Sequence, residues 1–390
     1  MVTSARAGRY ISQPTGYRSF VPAPLPPEPP LQFDAELVML LSQADQAVGR
    51  LDGISRVVPN PELFVATYVR QEAVLSSRIE GTRSTLDDVL LHEIDNSQRG
   101  LPDDIIEVTN YVRAMQHGLQ RLDSLPLSLR LIREIHAELM QGVRGQEKDP
   151  GEFRRSQNWI GHPGATLANA IYVPPAPADM WQSLDRFERF LHEPGDLPLL
   201  VHAGIAHAHF EMIHPFLNGN GRVGRLLITL LLCNHGVLRL PLLYLSQYLN
   251  DSRPQYYDRL TAIHRRGDWE GWVRFFLRGV LQTASEATRI AHEILSLHTE
   301  HVALIRSQSS SPNAPRLLEY LFTQPIVDVS QIRDQLGVTF QTADTLVRQF
   351  AALGLLDEIT GGQRSRRFRF SPYLNLFNRP DGTSHLPLSS

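Results

Sequence analysis

His214-Pro-Phe-Leu-Asn-Gly-Asn-Gly-Arg-Val-Gly-Arg225 separates two apolar stretches that both read as helix. Upstream, residues 198–213 end in AGIAHAHFEMI, and downstream, residues 222–233 read RVGRLLITLLLC. Pro215 disfavours αR geometry at His214, so the first helix is expected to stop there. Gly219 and Gly221 allow a tight turn with amides pointing into it. A second helix begins at once, with Arg222 and Arg225 three residues apart on one face of its first turn. Aligned amides, the positive end of a helix dipole and two guanidinium groups then converge on one small volume. That is an anion site, and a polyphosphate suits it.

Two other readings of the same residues fail on context. Gly219-Asn-Gly-Arg-Val-Gly224 satisfies GxGxxG, but the dinucleotide fingerprint needs a preceding strand, and here a helical pattern precedes it. No Gly-Lys-Ser/Thr follows, which removes a P-loop. His202, His207, His209 and His214 match no HExxH or CxxC…HxxxH spacing, so packing is the better reading for the first three. His214 sits beside the anion loop. A hydroxyl nucleophile at neutral pH needs a base that titrates near ambient pH, and an imidazole answers that need.

The whole string closely resembles the Fic family signature, HxFx(D/E)GNGRxxR. His214, Phe216, Gly219, Asn220, Gly221, Arg222 and Arg225 match at the right spacing, while Asn218 stands where the family carries an acidic residue. Members mostly transfer AMP from ATP to protein hydroxyl groups. The resemblance covers roughly residues 35–285 and implies a Fic-type helical core with a small β-hairpin flap. It makes His214 the base and places Asn218 towards Mg²⁺, as a neutral ligand that contributes no charge. Asn220 would meet the α-phosphate, with Arg222 and Arg225 at the β- and γ-phosphates. The remaining loop and first-turn residues, Gly219, Gly221, Val223 and Gly224, complete the expected ATP site.

Ser76-Ser-Arg-Ile-Glu80-Gly81 resembles the family's inhibitory motif, (S/T)xxxE(G/N). Ser76 and Glu80 share a helix face, and Gly81 permits a close approach or a stop. By resemblance, Glu80 pairs with Arg225 and blocks it from the γ-phosphate; the alternative is a solvated surface glutamate. Residues 151–177 are polar and Gly-rich, briefly β-prone, and closed by prolines. They resemble the flap that holds a target segment by strand-like main-chain bonds, here through Asn169, Ala170, Ile171, Tyr172 and Val173, or else a loop that merely closes the core. Tyr256 and Tyr257 occupy the place of a paired tyrosine near adenine, where simple packing competes as a role for one of them.

The chain is mainly α, since no alternating pattern of any length appears. Residues 1–32, with PAPLPPEPP near their end, are expected to be extended and draped or loosely ordered. Residues 33–125 form an N-terminal helical region with the inhibitory helix, for which Asn60 before Pro61 is a fitting start. Residues 126–306 form the catalytic core and 307–315 a polar linker. Residues 316–378 form a winged-helix-like domain, and 379–390 a tail. In that domain Thr339, Gln341, Thr342, Arg348, Arg364, Arg366 and Arg367 could face a DNA groove. The competing role is packing or dimerisation, because the third helix is not densely basic.

Composition sets the outer limits. The 390 residues, 42% hydrophobic and 20% charged with a net charge of −3, describe an ordinary globular chain without a global field for nucleic acid or membrane. One cysteine, Cys233, excludes a disulfide framework, and no apolar run is long enough to span a bilayer, so a cytoplasmic enzyme is expected. Its partner is expected to be a protein bearing a Ser, Thr or Tyr hydroxyl, with self-modification and a homodimer as further expectations. The enzymatic alternatives are removal of AMP, with Glu80 positioning water, or phosphoryl transfer. The GNGR form argues against the phosphoryl-transferring branch, which is lysine-containing. A nucleotide-binding transcriptional regulator is the alternative of a different class.

Overall fold

The computed structural model describes residues 4–56, 61–95, 102–143, 147–162, 164–362 and 366–377. Asn60, Arg364 and the tail 379–390 lie outside the described residues. Contacts group the chain into two compact units: Met1–Gly53, Tyr68–Ser84 and Leu101–Ser285 form one, and Ile54–Thr67, Thr85–Gly100 and Glu286–Ser390 form the other.

The first unit is a helical bundle built on α7 (Leu199–Ile213) and α8 (Asn220–Asn234). Nearly every residue of both helices is buried, as their unbroken apolar sequences require. Around them pack α4 (Asp103–Leu122), α5 (Leu129–Leu139), α6 (Pro177–His192) and α10 (Arg253–Arg266). His202, His207 and His209 lie in this core at 0–2% exposure. Their ring nitrogens bond the Phe190, Gly224 and Ala23 carbonyls, which accounts for them without metal.

Within residues 1–32, expected to be extended and draped or loosely ordered, the described part contains paired strands. Strands β1 (Gly8–Ser12) and β2 (Arg18–Pro22) form an antiparallel hairpin with Tyr10 opposite Phe20. Five-residue strands are too short for their alternation to stand out, yet Phe20 is fully buried. Its amide donates to the Val173 carbonyl at 2.8 Å, so the hairpin braces the segment read as the flap.

Two helices of the first unit were not anticipated in full: α9 (Ser246–Asp251) and the whole of α10. The long helix expected to have a break, α11 (Trp269–Gln308), is continuous, with α12 (Asn313–Thr323) four residues beyond it. The second unit carries β3 (Ile326–Asp328), α13 (Val329–Leu336), α14 (Phe340–Ala352), β4 (Asp357–Glu358), β5 (Arg367–Arg369) and α15 (Ser371–Leu374). Its sheet runs β3-β5-β4, all antiparallel. Asp328 and Gln331 make a reciprocal capping box on α13, and Gly337 ends it in the left-handed region. The result is the expected helix-turn-helix with a wing. Among the described residues no helix is long and apolar enough to cross a membrane.

The close approach of α7 to α11 depends on Gly204. A Cβ there would lie 2.8 Å from Phe276 Cδ1, and the Gly204 carbonyl accepts the Trp272 indole N–H at 2.8 Å. Gly204→Ala overpacks a rigid aromatic contact, so thermal unfolding should show a loss of about 1–3 kcal/mol. An unchanged midpoint would mean that Phe276 shifts freely.

Candidate active site

The loop between α7 and α8 is shaped by its own side chains. His214 ends α7 in the left-handed region, at φ 50 and ψ 59, an uncommon conformation for a residue with a side chain; Pro215 disfavours αR there. Gly219 is left-handed as well, at φ 77, and opens α8. Asn220 spans the turn: its Oδ1 accepts the Phe216 amide and its Nδ2 donates to the Phe216 carbonyl, both at 2.8 Å. Asn158 Nδ2 donates to the His214 and Phe216 carbonyls at 3.2 and 2.8 Å.

Sequence reasoning passed over Arg154 and His136, which hold this loop from outside. Arg154 is buried at 2% exposure and donates to the His214 carbonyl at 3.0 Å and the Pro175 carbonyl at 2.6 Å. Burial lowers its pKa to about 10, and it stays charged at neutral pH. His136 stacks on Phe216 with centroids 3.7 Å apart. Its Nδ1 accepts the Gly151 amide and its Nε2 faces the Asn218 carbonyl at 3.1 Å, a pattern that fixes a neutral Nε2–H tautomer. Desolvation drives its pKa down to about 4. Nothing local in the sequence signals either role, because the partners are carbonyls of distant residues.

Glu80 and Arg225, 145 residues apart, meet. Arg225 Nη2 lies 2.7 Å from Glu80 Oε1, while Nε and Nη2 donate to the Ser76 hydroxyl and carbonyl at 2.8 and 3.0 Å. The guanidinium is 2% exposed and the carboxylate 38%. Glu80 follows the last residue of α2 (Pro61–Ile79), and Gly81 at φ 110 turns the chain away. Gly221 leaves the room: a Cβ there would collide with Glu80 Oε1. Desolvation pulls the Glu80 pKa up, but the charge and hydrogen bond of Arg225 outweigh it and leave the group below its ordinary value.

The other expected ligands are less available. Arg222 is 3% exposed and its Nη1 lies 3.0 Å from Glu107 Oε2, a buried pair that ties α8 to α4. Tyr256 is 1% exposed, with its hydroxyl 2.9 Å from His207 Nε2, so its ring belongs to the core; Tyr257, 44% exposed, keeps an open face. In the flap, Ile160 and Tyr172 form a two-residue antiparallel bridge. Tyr172 and Val173 are buried, the former through a 2.7 Å bond from its hydroxyl to the Met212 carbonyl. The outward residues are Asn169 and Ile171, with Ala170 half-buried between them.

Asn218 Oδ1 accepts the Gly219 amide at 2.8 Å. Among the described residues no group of three His, Cys, Asp or Glu converges on a metal position. Mg²⁺ is usually held by one or two carboxylates together with substrate phosphates. A neutral amide oxygen that also accepts its own loop's amide brings no charge to such a site, so Asn218 suits that role less well than the acidic residue it stands in for.

His214 lies at the site with its Nδ1 3.3 Å from the Glu211 carbonyl, so Nδ1 carries the proton and Nε2 is left as the acceptor. Burial first, and then the Arg154 charge, lower its pKa to about 4, so the ring is neutral at physiological pH.

Comparison with known proteins agrees with this geometry. Residues 38–120 match the model for the Fic/DOC family N-terminal region, residues 126–232 the Fic/DOC family, and residues 314–369 a helix-turn-helix DNA-binding domain. A protein adenylyltransferase Fic from Drosophila grimshawi is 34% identical over 156 residues, which are 40% of this chain and 29% of that protein. The chain thus spans under a third of that relative's length. A Fic family protein from Desulfovibrio desulfuricans G20 superposes with a TM-score of 0.56 at 19% identity, over 87% of this chain and 97% of its own. A Fic domain containing signaling protein from Bacteroides thetaiotaomicron does so at 0.51 and 17% identity, over 64% and 97%. The HxFxxGNGRxxR loop, the helix pair that carries it and these matches together identify a Fic/DOC family N-terminal region over residues 38–120 and a Fic/DOC domain over residues 126–232.

Proposed function

We propose that this chain is a protein adenylyltransferase held off by Glu80: it transfers AMP from ATP to a hydroxyl side chain of a protein. The observation that carries the reading is a neutral imidazole beside a helix N-terminus whose arginine is occupied by a displaceable carboxylate. The hydroxyl oxygen attacks the α-phosphorus, pyrophosphate leaves, and the hydroxyl proton passes to His214 Nε2. The amides at the start of α8 and the Arg225 guanidinium meet the charge that develops on the phosphates. No step needs a metal ligand from the loop.

Glu80 regulates this chemistry because Arg225 cannot serve two anions at once. While the carboxylate sits over Gly221, the γ-phosphate has no guanidinium to hold it. The half-exposed Glu80 can leave without dismantling the buried arginine, since Ser76 still bonds it. The amides of Asn169 and Ile171 are bonded to the Thr166 and Ile160 carbonyls, so a target segment would meet the exposed side chains of this part of the flap. In the second unit, Asp344 binds Arg348 at 2.5 Å and Arg366 at 2.7 Å. Two of the cations read as facing DNA are thereby partly neutralised, which favours the packing role for that domain over a regulator's.

Label from α-labelled but not γ-labelled ATP should appear on protein. His214→Ala should reduce that labelling by about 10²–10⁴ while the melting midpoint holds, and activity within a few-fold of wild type would remove His214 from the mechanism. Glu80→Gly should raise labelling, including self-modification, well above wild type. Adding Arg225→Ala should cancel the gain, because the released arginine is the agent of activation. Equal labelling by wild type and Glu80→Gly would dispose of autoinhibition through this residue.

A further inference from the structure

The proposed reaction leaves an electrostatic problem at His214. Its imidazole must carry a positive charge when Nε2 takes the hydroxyl proton. It does so in a buried site where the nearest fixed charge acting on it, Arg154, is also positive. One turn back on α7, Glu211 answers that problem. Its main-chain carbonyl lies 3.3 Å from His214 Nδ1, and its carboxylate oxygen Oε2 lies 3.9 Å from the same atom. The side chains are only 11% and 19% exposed, for Glu211 and His214 respectively.

Among the described residues, no hydrogen bond from another side chain to this carboxylate is seen, and Arg225 acts on it through its charge. Glu211 Oε1 is buried and has no hydrogen-bond partner, and an ionisable group is rarely left so unless it is used. Room is kept for it: a Cβ on Gly224 would lie 2.5 Å from Oε1 and would push the carboxylate from its present place. The charged and titratable groups that act on the pocket are His207 from α7, His214 at its C-terminal cap, Arg225 from α8, Glu80 just past the end of α2, Tyr256 from α10 and Arg154 from the loop before α6.

We propose that Glu211 is the positioning residue of His214, fixing its Nε2-acceptor tautomer through the main chain and offsetting the imidazolium charge through the carboxylate. This rests on the adenylyltransferase reading for its kinetic consequence, though not for its titration. Burial raises the Glu211 pKa to about 7, with Arg225 pulling it down and Glu80 pushing it up. The pair therefore takes up its first proton near neutrality, on the carboxyl, and its second near 4, on the ring, which lies close enough to sense both steps.

The test uses the full chain in the Glu80→Gly background, with and without Glu211→Gln. Glu211→Gln should lower kcat for AMP transfer about tenfold to a hundredfold, with little change in the KM for ATP. The parent's rate should rise with pH through the Glu211 titration, which loss of the Glu80 charge moves below about 7, and that limb should vanish in the variant. Stability should not fall. A carboxyl whose folded pKa is raised loses stability as pH climbs from its unfolded value to its folded one, so the glutamine variant should melt no lower at pH 8. A lower melting point with the pH limb unchanged would reduce Glu211 to a packing residue and overturn the proposal. If the Glu80→Gly parent transfers no AMP, the adenylyltransferase reading fails, and titration of carbon-labelled histidine still decides the role of Glu211. His214, assigned by its loss in His214→Ala, should titrate in two steps in the parent and only in the lower one after Glu211→Gln. The same single step in both proteins overturns the pairing.

Discussion

A guanidinium buried to 2% exposure must be met by acceptors on every side; Arg154 has main-chain carbonyls, and Arg225 has Ser76 and the Glu80 carboxylate. Burial works against its charge, and Glu80 more than restores it, so the arginine's pKa lies above its ordinary value. The site around it is therefore never neutral ground. Either a carboxylate occupies the position or a phosphate does, and the same desolvation that makes the arginine a strong phosphate ligand makes Glu80 an effective stand-in. Ser76 lets the two exchange, since its hydroxyl and carbonyl keep two donors of the fork satisfied whichever anion is present.

The loop beside that arginine is rigid for a separate reason. Asn220 closes both hydrogen bonds of Phe216, Arg154 and Asn158 converge on the His214 carbonyl, and His136 is pinned between Gly151 and Asn218. Each of these side chains uses its polar atoms on backbone groups that a left-handed turn leaves without helical partners. Amides at the start of α8 thus arrive at the anion already aimed. Such pre-organisation is what lets a static loop stabilise charge without reorganising as the reaction proceeds.

How far this was legible follows from the range over which each interaction acts. The break at His214–Pro215, the turn glycines and the helix pair are local consequences of residue type, and the structure has them where the spacing puts them. The Glu80–Arg225 contact could be anticipated only through a resemblance, since no property of either residue alone points across 145 positions. Three features escaped. The β1–β2 hairpin has strands of five residues, too short for a visible period. Arg222 seemed a phosphate ligand until its buried pairing with Glu107 was seen. Tyr256 and Tyr257 are adjacent and chemically alike, and only helix phase decides that one ring is buried against His207 while the other stays open. Glu211 belongs with these: a glutamate three residues before a histidine is unremarkable until burial leaves its carboxylate with no hydrogen bond from another side chain among the described residues.

Placement of the inhibitory segment follows from a second buried carboxylate on the same helix. Glu72, 5% exposed and one turn before Ser76, accepts the Tyr111 hydroxyl at 3.2 Å and both the amide and hydroxyl of Ser246. Burial raises its pKa to about 7, which Ser246 and Arg225 partly oppose. These bonds join α2 to α4 and to α9 in the interior, where breaking them would leave a buried acceptor unsatisfied. Glu80, by contrast, lies past the end of α2, keeps more than a third of its side chain in solvent and is followed by a glycine in the left-handed region. The helix is thus anchored at Glu72 and Ser76 and loose only at its tip. On the proposed reading, release of Arg225 asks only that one partly exposed side chain swing away, while the helix stays anchored.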